Sequence, residues 1–245
     1  MLTNRWFIIC KDVEKIVINV IGAVFARSGS KGIPKKNLSK LKGQTLVEIS
    51  LNHLIESKVC SEIYLCSDSS EILNEADKLS ANKFKRNSNN CQDNSSELDA
   101  WREFAEFLLI KKNYLKSDYL LIAPCTSPLR KTVTLNGVVS LLKKNNEADG
   151  VICIKSSHFM PDFNLLKKDS KNFLTTYSGV KRKVNRQNSI PVWEMTTIAY
   201  CYKLSAILKS FDLFELNTIG FNVNFPESLD IDTHEDLDLV KKLYN

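Results

Sequence analysis

The chain cycles between short, almost wholly apolar runs and longer amphipathic ones. Ile16 to Phe25 is rich in Val and Ile with little alternation, which predicts a strand buried on both faces. Thr45 to Glu56 then places Leu46, Val47, Ile49, Leu51, Leu54 and Ile55 at helical spacing. The cycle repeats downstream. Strands are predicted over Glu62–Cys66, Lys83–Lys85, Asp118–Ala123 and Gly150–Ile154. Helices are predicted from the Ser67–Ser70 cluster to about Leu79, over Leu98–Ile110 and over Val133–Lys144, the first capped by one of the Ser67–Ser70 side chains. Thr196–Tyr202 and Thr218–Val223 read as returning strands with a short helix, Ser205–Ser210, between them. Thr233-His-Glu-Asp236 has the form of a capping box and opens a last helix to Leu243.

Strand–helix alternation over this length predicts a mostly parallel sheet with helices on both faces, a three-layer, Rossmann-like α/β fold. Ligands of such sheets bind at the carboxyl ends of the strands. That rule gathers the basic loop after the first strand, Asp68, the polar loop Arg86–Ser96 and the turn Thr126–Arg130 on one edge. The pattern breaks over residues 155–196, where Pro161, the run Lys167–Lys171 and the cationic Lys181–Arg186 interrupt it. The expected organisation is an extension (1–15), a core (16–154 and 197–245) and an inserted arm (155–196).

Composition narrows the partners. A net charge of +6 is mild, and the cations gather at one loop and one arm without an aromatic stacking platform, so nucleic-acid binding is not expected. Seven cysteines, an odd number with no C-x-x-C pair, read as a reduced, cytoplasmic protein using Cys as a small core residue. The three scattered histidines argue against zinc. No apolar run approaches the ~20 residues of a membrane span, and Met1–Lys15 lacks the form of a signal peptide.

Two segments carry candidate chemistry. Phe25–Leu38 follows a buried strand, precedes a helix and interleaves Gly29 and Gly32 with Arg27, Lys31, Lys35 and Lys36. A Gly-rich turn presents backbone N–H groups to an anion and the cations add counter-charge, so a polyphosphate site is expected. The spacing matches neither GxxxxGK[ST] nor GxGxxG. The competing reading is a solvated basic loop. In Asp230-Ile-Asp232, carboxylates two residues apart share a face when extended, which suits Mg²⁺ beside a triphosphate; alternatively, Asp232 merely helps cap the last helix.

These residues resemble the CMP-sugar synthetases, the cytidylyltransferases of acylneuraminate type. The hallmark A-R-x-x-S-K-G-x-x-x-K-N is matched by Ala26-Arg-Ser-Gly-Ser-Lys-Gly-Ile-Pro-Lys-Lys-Asn37. In family order follow Cys125-Thr-Ser-Pro-Leu-Arg130, Asn185-Arg-Gln187 before Pro191, and Asp230-Ile-Asp-Thr233. The resemblance implies a nucleotidyltransferase fold, a homodimer formed through the arm, CTP and Mg²⁺ as ligands, and an acidic α-keto sugar whose anomeric hydroxyl attacks the α-phosphate. It assigns catalysis to Arg27, Lys36, Asp230 and Asp232, the last two holding the metal. It assigns nucleotide binding to Ala26, Arg27, Ser30, Lys31, Asn37, Arg86, Ser95 and Ser96. Sugar binding falls to Thr126, Ser127, Arg186 and Gln187, with Lys181 or Lys183 contributed across the dimer. The pattern departs at Pro124-Cys125 (usually Gln-Pro), at Asn87 (usually Pro) and at Met195–Tyr200 (usually N-G-A-x-Y). The sugar pocket has therefore diverged more than the triphosphate loop, and several nonulosonates or octulosonates remain open as acceptor. Another nucleotide or acceptor, or a non-catalytic nucleotide-binding protein of the same fold, are the alternatives.

Overall fold

The computed structural model describes residues 17–29, 32–87, 96–179 and 191–244. The first apolar run forms β1 (Val20–Phe25), which sits in the middle of a sheet and is buried along nearly its whole length. It pairs in parallel with β4 (Glu62–Ser67) on one side and β6 (Tyr119–Ile122) on the other. β5 (Asn82–Lys85) extends the β4 side in parallel. Beyond β6 lie β10 (Trp193–Lys203), β7 (Gly150–Ser156) and β11 (Thr218–Asn222). Among the described residues these seven strands run in the order β11-β7-β10-β6-β1-β4-β5. A small ribbon, β2 (Lys40–Leu41) with β3 (Gln44–Thr45), links the basic loop to the first helix.

Helices cover both faces, as alternation predicts. One face carries α1 (Leu46–Ser57), α2 (Ser70–Leu73), α4 (Thr132–Lys144) and α6 (His234–Leu243), packed through Leu46, Leu51, Leu54, Leu135, Val138, Leu142 and Val240. The other carries α3 (Glu97–Lys111) and α5 (Leu204–Lys209) over an aromatic cluster in which Trp101 and Tyr200 stand 5.2 Å apart. Each fully buried large side chain contributes about 1.5–3 kcal/mol relative to exposure. Caps fix where the helices begin. Thr45 and Glu48 form a reciprocal box at α1, and Thr233 and Asp236 form one at α6.

Three differences from the sequence expectation have physical causes. The second helix is α-helical only through Leu73 and continues as a 3₁₀ stretch, Asn74–Leu79. Leu73, Ala76 and Leu79 recur every three residues, so a three-residue turn keeps them all on the core. β10 begins at Trp193, earlier than the apolar pattern suggests, and runs antiparallel to both β6 and β7. Its first residues pair Trp193 with Ser156 and Met195 with Ile154, with a register shift before Tyr200. Between β7 and β10, the arm folds back on itself as β8 (Leu166–Lys168) and β9 (Leu174–Thr176). This ribbon leaves Leu166, Phe173, Leu174 and Tyr177 exposed.

Cys66, Cys125, Cys153 and Cys201 are free and buried, in keeping with their expected use as core residues, and burial pushes the Cys125 and Cys153 thiols up to about 12. Among the described residues no helix is long and apolar enough to cross a membrane.

His53, on α1, has a buried Nδ1 without a hydrogen-bond partner among the described residues. Burial, and secondarily the charge of Arg130, lowers its pKa to about 3. The unfolded chain, with a His near 6.5, therefore binds this proton more readily, and stability falls as pH drops from about 6.5 toward 3. Urea midpoints should lose about 2 kcal/mol of stability between pH 6.5 and 5. His53→Leu should flatten the profile over that interval; an unchanged slope would show that His53 is not its source.

Candidate functional site

The site is assembled at the carboxyl edge of β1, β4, β5 and β6, where the sheet rule places it. Leaving β1, Ala26 is buried and its N–H donates to Cys66 O at 3.0 Å, so the basic loop starts from a fixed point. The loop closes on itself at its far end. Asn37, itself buried, donates its side-chain N–H to Arg27 O at 3.0 Å, joining the two ends of the turn. Lys35 adopts the left-handed conformation (φ 53°) and leads into a 3₁₀ turn, Lys36–Leu38.

The Asp230-Ile-Asp232 segment docks directly against this loop. Ile231 is wholly buried. Its N–H donates to Thr126 O at 2.9 Å, and its carbonyl accepts from Lys36 Nζ at 2.6 Å. Lys36 Nζ also reaches Asp232 Oδ1 at 3.3 Å. Gly32 makes the approach possible, because a Cβ there would lie 2.5 Å from Asp232 O. Gly32, Lys36 and the turn after β6 thus converge on the backbone of Ile231 and Asp232.

The turn Cys125–Arg130 is held from inside. Arg130 is buried and donates from Nε to Ile198 O and from Nη2 to Pro124 O. Ser127 is buried, with its hydroxyl 2.8 Å from Thr197 Oγ1, and Thr126 Oγ1 donates to the same atom at 3.4 Å. These two hydroxyls tie the turn to β10, while the Thr126 carbonyl supports the acidic segment.

On the opposite side, Arg86 is buried at the end of β5, its guanidinium 5.9 Å from the centre of the Phe25 ring. Ser96 caps α3, accepting from Leu98 N–H at 3.1 Å. Ser30, Lys31, Ser95, Lys181, Lys183, Arg186 and Gln187 lie outside the described residues.

One acidic residue was not anticipated. Glu97, the first residue of α3, is exposed to solvent, with protein close enough to desolvate its carboxyl in part. Its carboxyl is raised, first by burial and then by the charge of Asp230, while Arg27 and Arg86 pull the other way. Tyr200 is raised by burial and feels both Glu97 and Asp230. Arg27, Arg86, Glu97, Asp230 and Tyr200 therefore share one electrostatic neighbourhood. The only sequence signal for Glu97 was an acid at a helix start, which is common for dipole reasons alone.

Asp230 Oδ1 is buried and has no hydrogen-bond partner among the described residues. An orphaned carboxylate oxygen, with a second carboxylate two residues on in the chain, fits a hard divalent cation such as Mg²⁺. Among the described residues no group of three or more His, Cys, Asp or Glu is arranged to hold a metal. A cation here would draw its remaining oxygens from phosphates and water, the usual habit of Mg²⁺.

A family model described as cytidylyltransferase matches residues 21–245. A post-translational flagellin modification protein B from Campylobacter coli is 25% identical over 227 residues, covering 91% of this chain and 94% of that protein. A CMP-N,N'-diacetyllegionaminic acid synthase from Legionella pneumophila is 25% identical over 236 residues, covering 92% and 96%. In fold, the chain is similar to a CMP-2-keto-3-deoxy-manno-octonic acid synthetase solved with CTP, with a TM-score of 0.67 at 11% identity and coverage of 92% of this chain and 98% of that one.

Gly32→Ala should force the loop away from Asp232. Calorimetric titration with inorganic tripolyphosphate should show affinity reduced roughly tenfold or more, for a backbone clash that no flexible side chain can relieve. Unchanged affinity would mean that the contact does not shape the anion site.

Proposed function

The chain belongs to the cytidylyltransferase family, and from that premise we propose that it couples CTP to the anomeric hydroxyl of an acidic α-keto sugar, releasing pyrophosphate. It is a nucleotidyltransferase; the proposal concerns which nucleotide and which acceptor. The observation that carries the proposal is the junction at Ile231, where the basic loop and the acidic segment are held within hydrogen-bonding distance of each other. A triphosphate and its counter-ion need those two surfaces side by side.

Nucleotidyl transfer asks little covalent help of the protein; positioning and charge stabilisation dominate. Arg27 and Lys36 would hold the triphosphate, with Ser30 and Lys31 between them in sequence. Asp230 and Asp232 would hold Mg²⁺, which when bound supplies charge neutralisation at the phosphates. Arg86 and the first turn of α3 would face the nucleoside, and Ala26, Asn37, Ser95 and Ser96 would shape that side. Thr126 and Ser127 would support the acceptor side through the turn they fix. Arg186 and Gln187 would meet the sugar carboxylate.

A nonulosonate acceptor is favoured by the Legionella relative, which is named a CMP-N,N'-diacetyllegionaminic acid synthase. We further propose a homodimer formed through the arm at 155–196. The exposed apolar side chains of the β8–β9 ribbon support it, since a monomer gains nothing from presenting Phe173, Leu174 and Tyr177 to water.

Pyrophosphate release with Mg²⁺, each of the four nucleoside triphosphates and a panel of nonulosonic and octulosonic acids should show strong preference for CTP. Equal use of all four would sink the cytidylyl assignment. Asp230→Asn should lower turnover roughly a hundredfold or more, while metal-free CTP binding stays close to wild type. Retained turnover would remove Asp230 from the metal site.

A further inference from the structure

The cluster Ser67-Asp68-Ser69-Ser70 opens α2, but Asp68 takes no part in capping it. Ser69 is the cap, its Oγ accepting from Ile72 N–H at 3.4 Å, and Ser67 Oγ accepts from Ser69 N–H at 3.1 Å. Asp68 instead reaches back 40 residues to the basic loop. One carboxylate oxygen accepts Ser28 N–H at 3.0 Å and the other accepts the Ser28 hydroxyl at 2.7 Å. The next residues brace the same loop, where Glu71 accepts from Lys35 Nζ at 2.8 and 2.9 Å. Lys85 Nζ in turn donates to Asp68 O.

A carboxylate gripping a loop built for polyphosphate is electrostatically adverse, because like charges repel. It also occupies the Ser28 N–H, which the loop could otherwise offer an anion. Its presence there calls for a compensating service. We propose that Asp68 is a positioning residue for the phosphate loop, a two-point clamp on Ser28 that fixes the loop entry at Ser28–Gly29 ahead of its closure at Gly32 and Lys36. The proposal rests on the nucleotidyl-transfer reading. The loop is then pinned at four places: at its entry by Asp68, across its neck by Asn37, at Lys35 by Glu71 and at its exit by the Ile231 carbonyl. Burial opposes ionisation of Asp68, but the Ser28 hydroxyl and N–H outweigh it and hold the carboxyl below its ordinary range. The clamp is therefore charged and intact at neutral pH.

The test is calorimetric titration of wild type, Asp68→Ala, Asp68→Asn, Ser28→Ala and the Ser28→Ala/Asp68→Ala double variant with inorganic tripolyphosphate and with CTP, alongside thermal melting. Asp68→Ala should weaken both ligands roughly ten- to a hundredfold, the consequence of losing charge-assisted hydrogen bonds. Asp68→Asn should recover most of that loss, because its amide oxygen still accepts Ser28 N–H and its amide nitrogen donates to Ser28 Oγ. The double variant should bind no worse than Asp68→Ala, as expected for partners in one interaction. Melting temperatures should stay close to wild type throughout. Unchanged or tighter binding by Asp68→Ala overturns the clamp and leaves only repulsion. Should Asp68→Ala not fold, failed rescue by Asp68→Asn together with unaltered binding by Ser28→Ala overturns it equally. Absence of tripolyphosphate binding by the wild type also overturns it. If the wild type binds tripolyphosphate but releases no pyrophosphate from CTP, the proposed function fails while the clamp is still measured.

Discussion

The backbone of Ile231 is the point on which the site depends. Its N–H and C=O are buried and each has one strong partner, the Thr126 carbonyl and the Lys36 ammonium. A buried backbone group left unpaired costs about 1–3 kcal/mol, so neither partner is dispensable. Because the partners come from the turn after β6 and from the loop after β1, satisfying the two backbone groups of one residue brings three distant segments together. Gly32 lets that happen, because a Cβ there would meet Asp232 O. The acidic pair is thereby set beside the basic loop by packing and backbone hydrogen bonds, with the exposed Lys36–Asp232 ion pair a minor contributor.

The charges are arranged in two kinds. Arg130 is a scaffold charge, buried and donating to the carbonyls of Pro124 and Ile198 through Nη2 and Nε, while its buried Nη1 has no partner among the described residues. Glu227 is buried nearby and accepts the Lys131 N–H at 3.1 Å. Arg27, Arg86, Glu97 and Asp230 are site charges, close enough to influence one another, with Arg86 buried and Glu97 exposed. The first set holds the frame and the second, electrostatically linked, lies at the candidate site. That division lets the second set respond to a polyanion without loosening the sheet.

Much of this was legible in the chain itself. The long apolar runs and the capping residues Thr45, Ser69 and Thr233 announce their elements, because burial and end-capping are local demands. The motif Ala26–Asn37 announces an anion loop for the same reason. The direction of β10 is not legible, since a buried strand has the same composition whichever way it runs. Nor are the assignments of polar atoms within the motif. Asn37 reads as a ligand contact but ties the loop to Arg27 O, and Ser127 turns its hydroxyl to Thr197. Glu97 hides among ordinary helix-start acids until the fold sets it within reach of Asp230. Each of these depends on partners far away in sequence, which no local pattern encodes.

The Lys36–Ile231 contact spans 195 positions of the chain. Proteins are made from the N-terminus at about 5–20 residues per second, so the basic loop exists for on the order of ten seconds or more before its closing partner is synthesised. Through that interval a cationic, glycine-containing turn waits without the segment that completes it. Completion of the site therefore waits on the Ile231 segment, and a stalled or truncated product that lacks it lacks a working loop as well. Ligand binding by this protein is thus a report on the joining of segments 195 positions apart, not on the state of one motif.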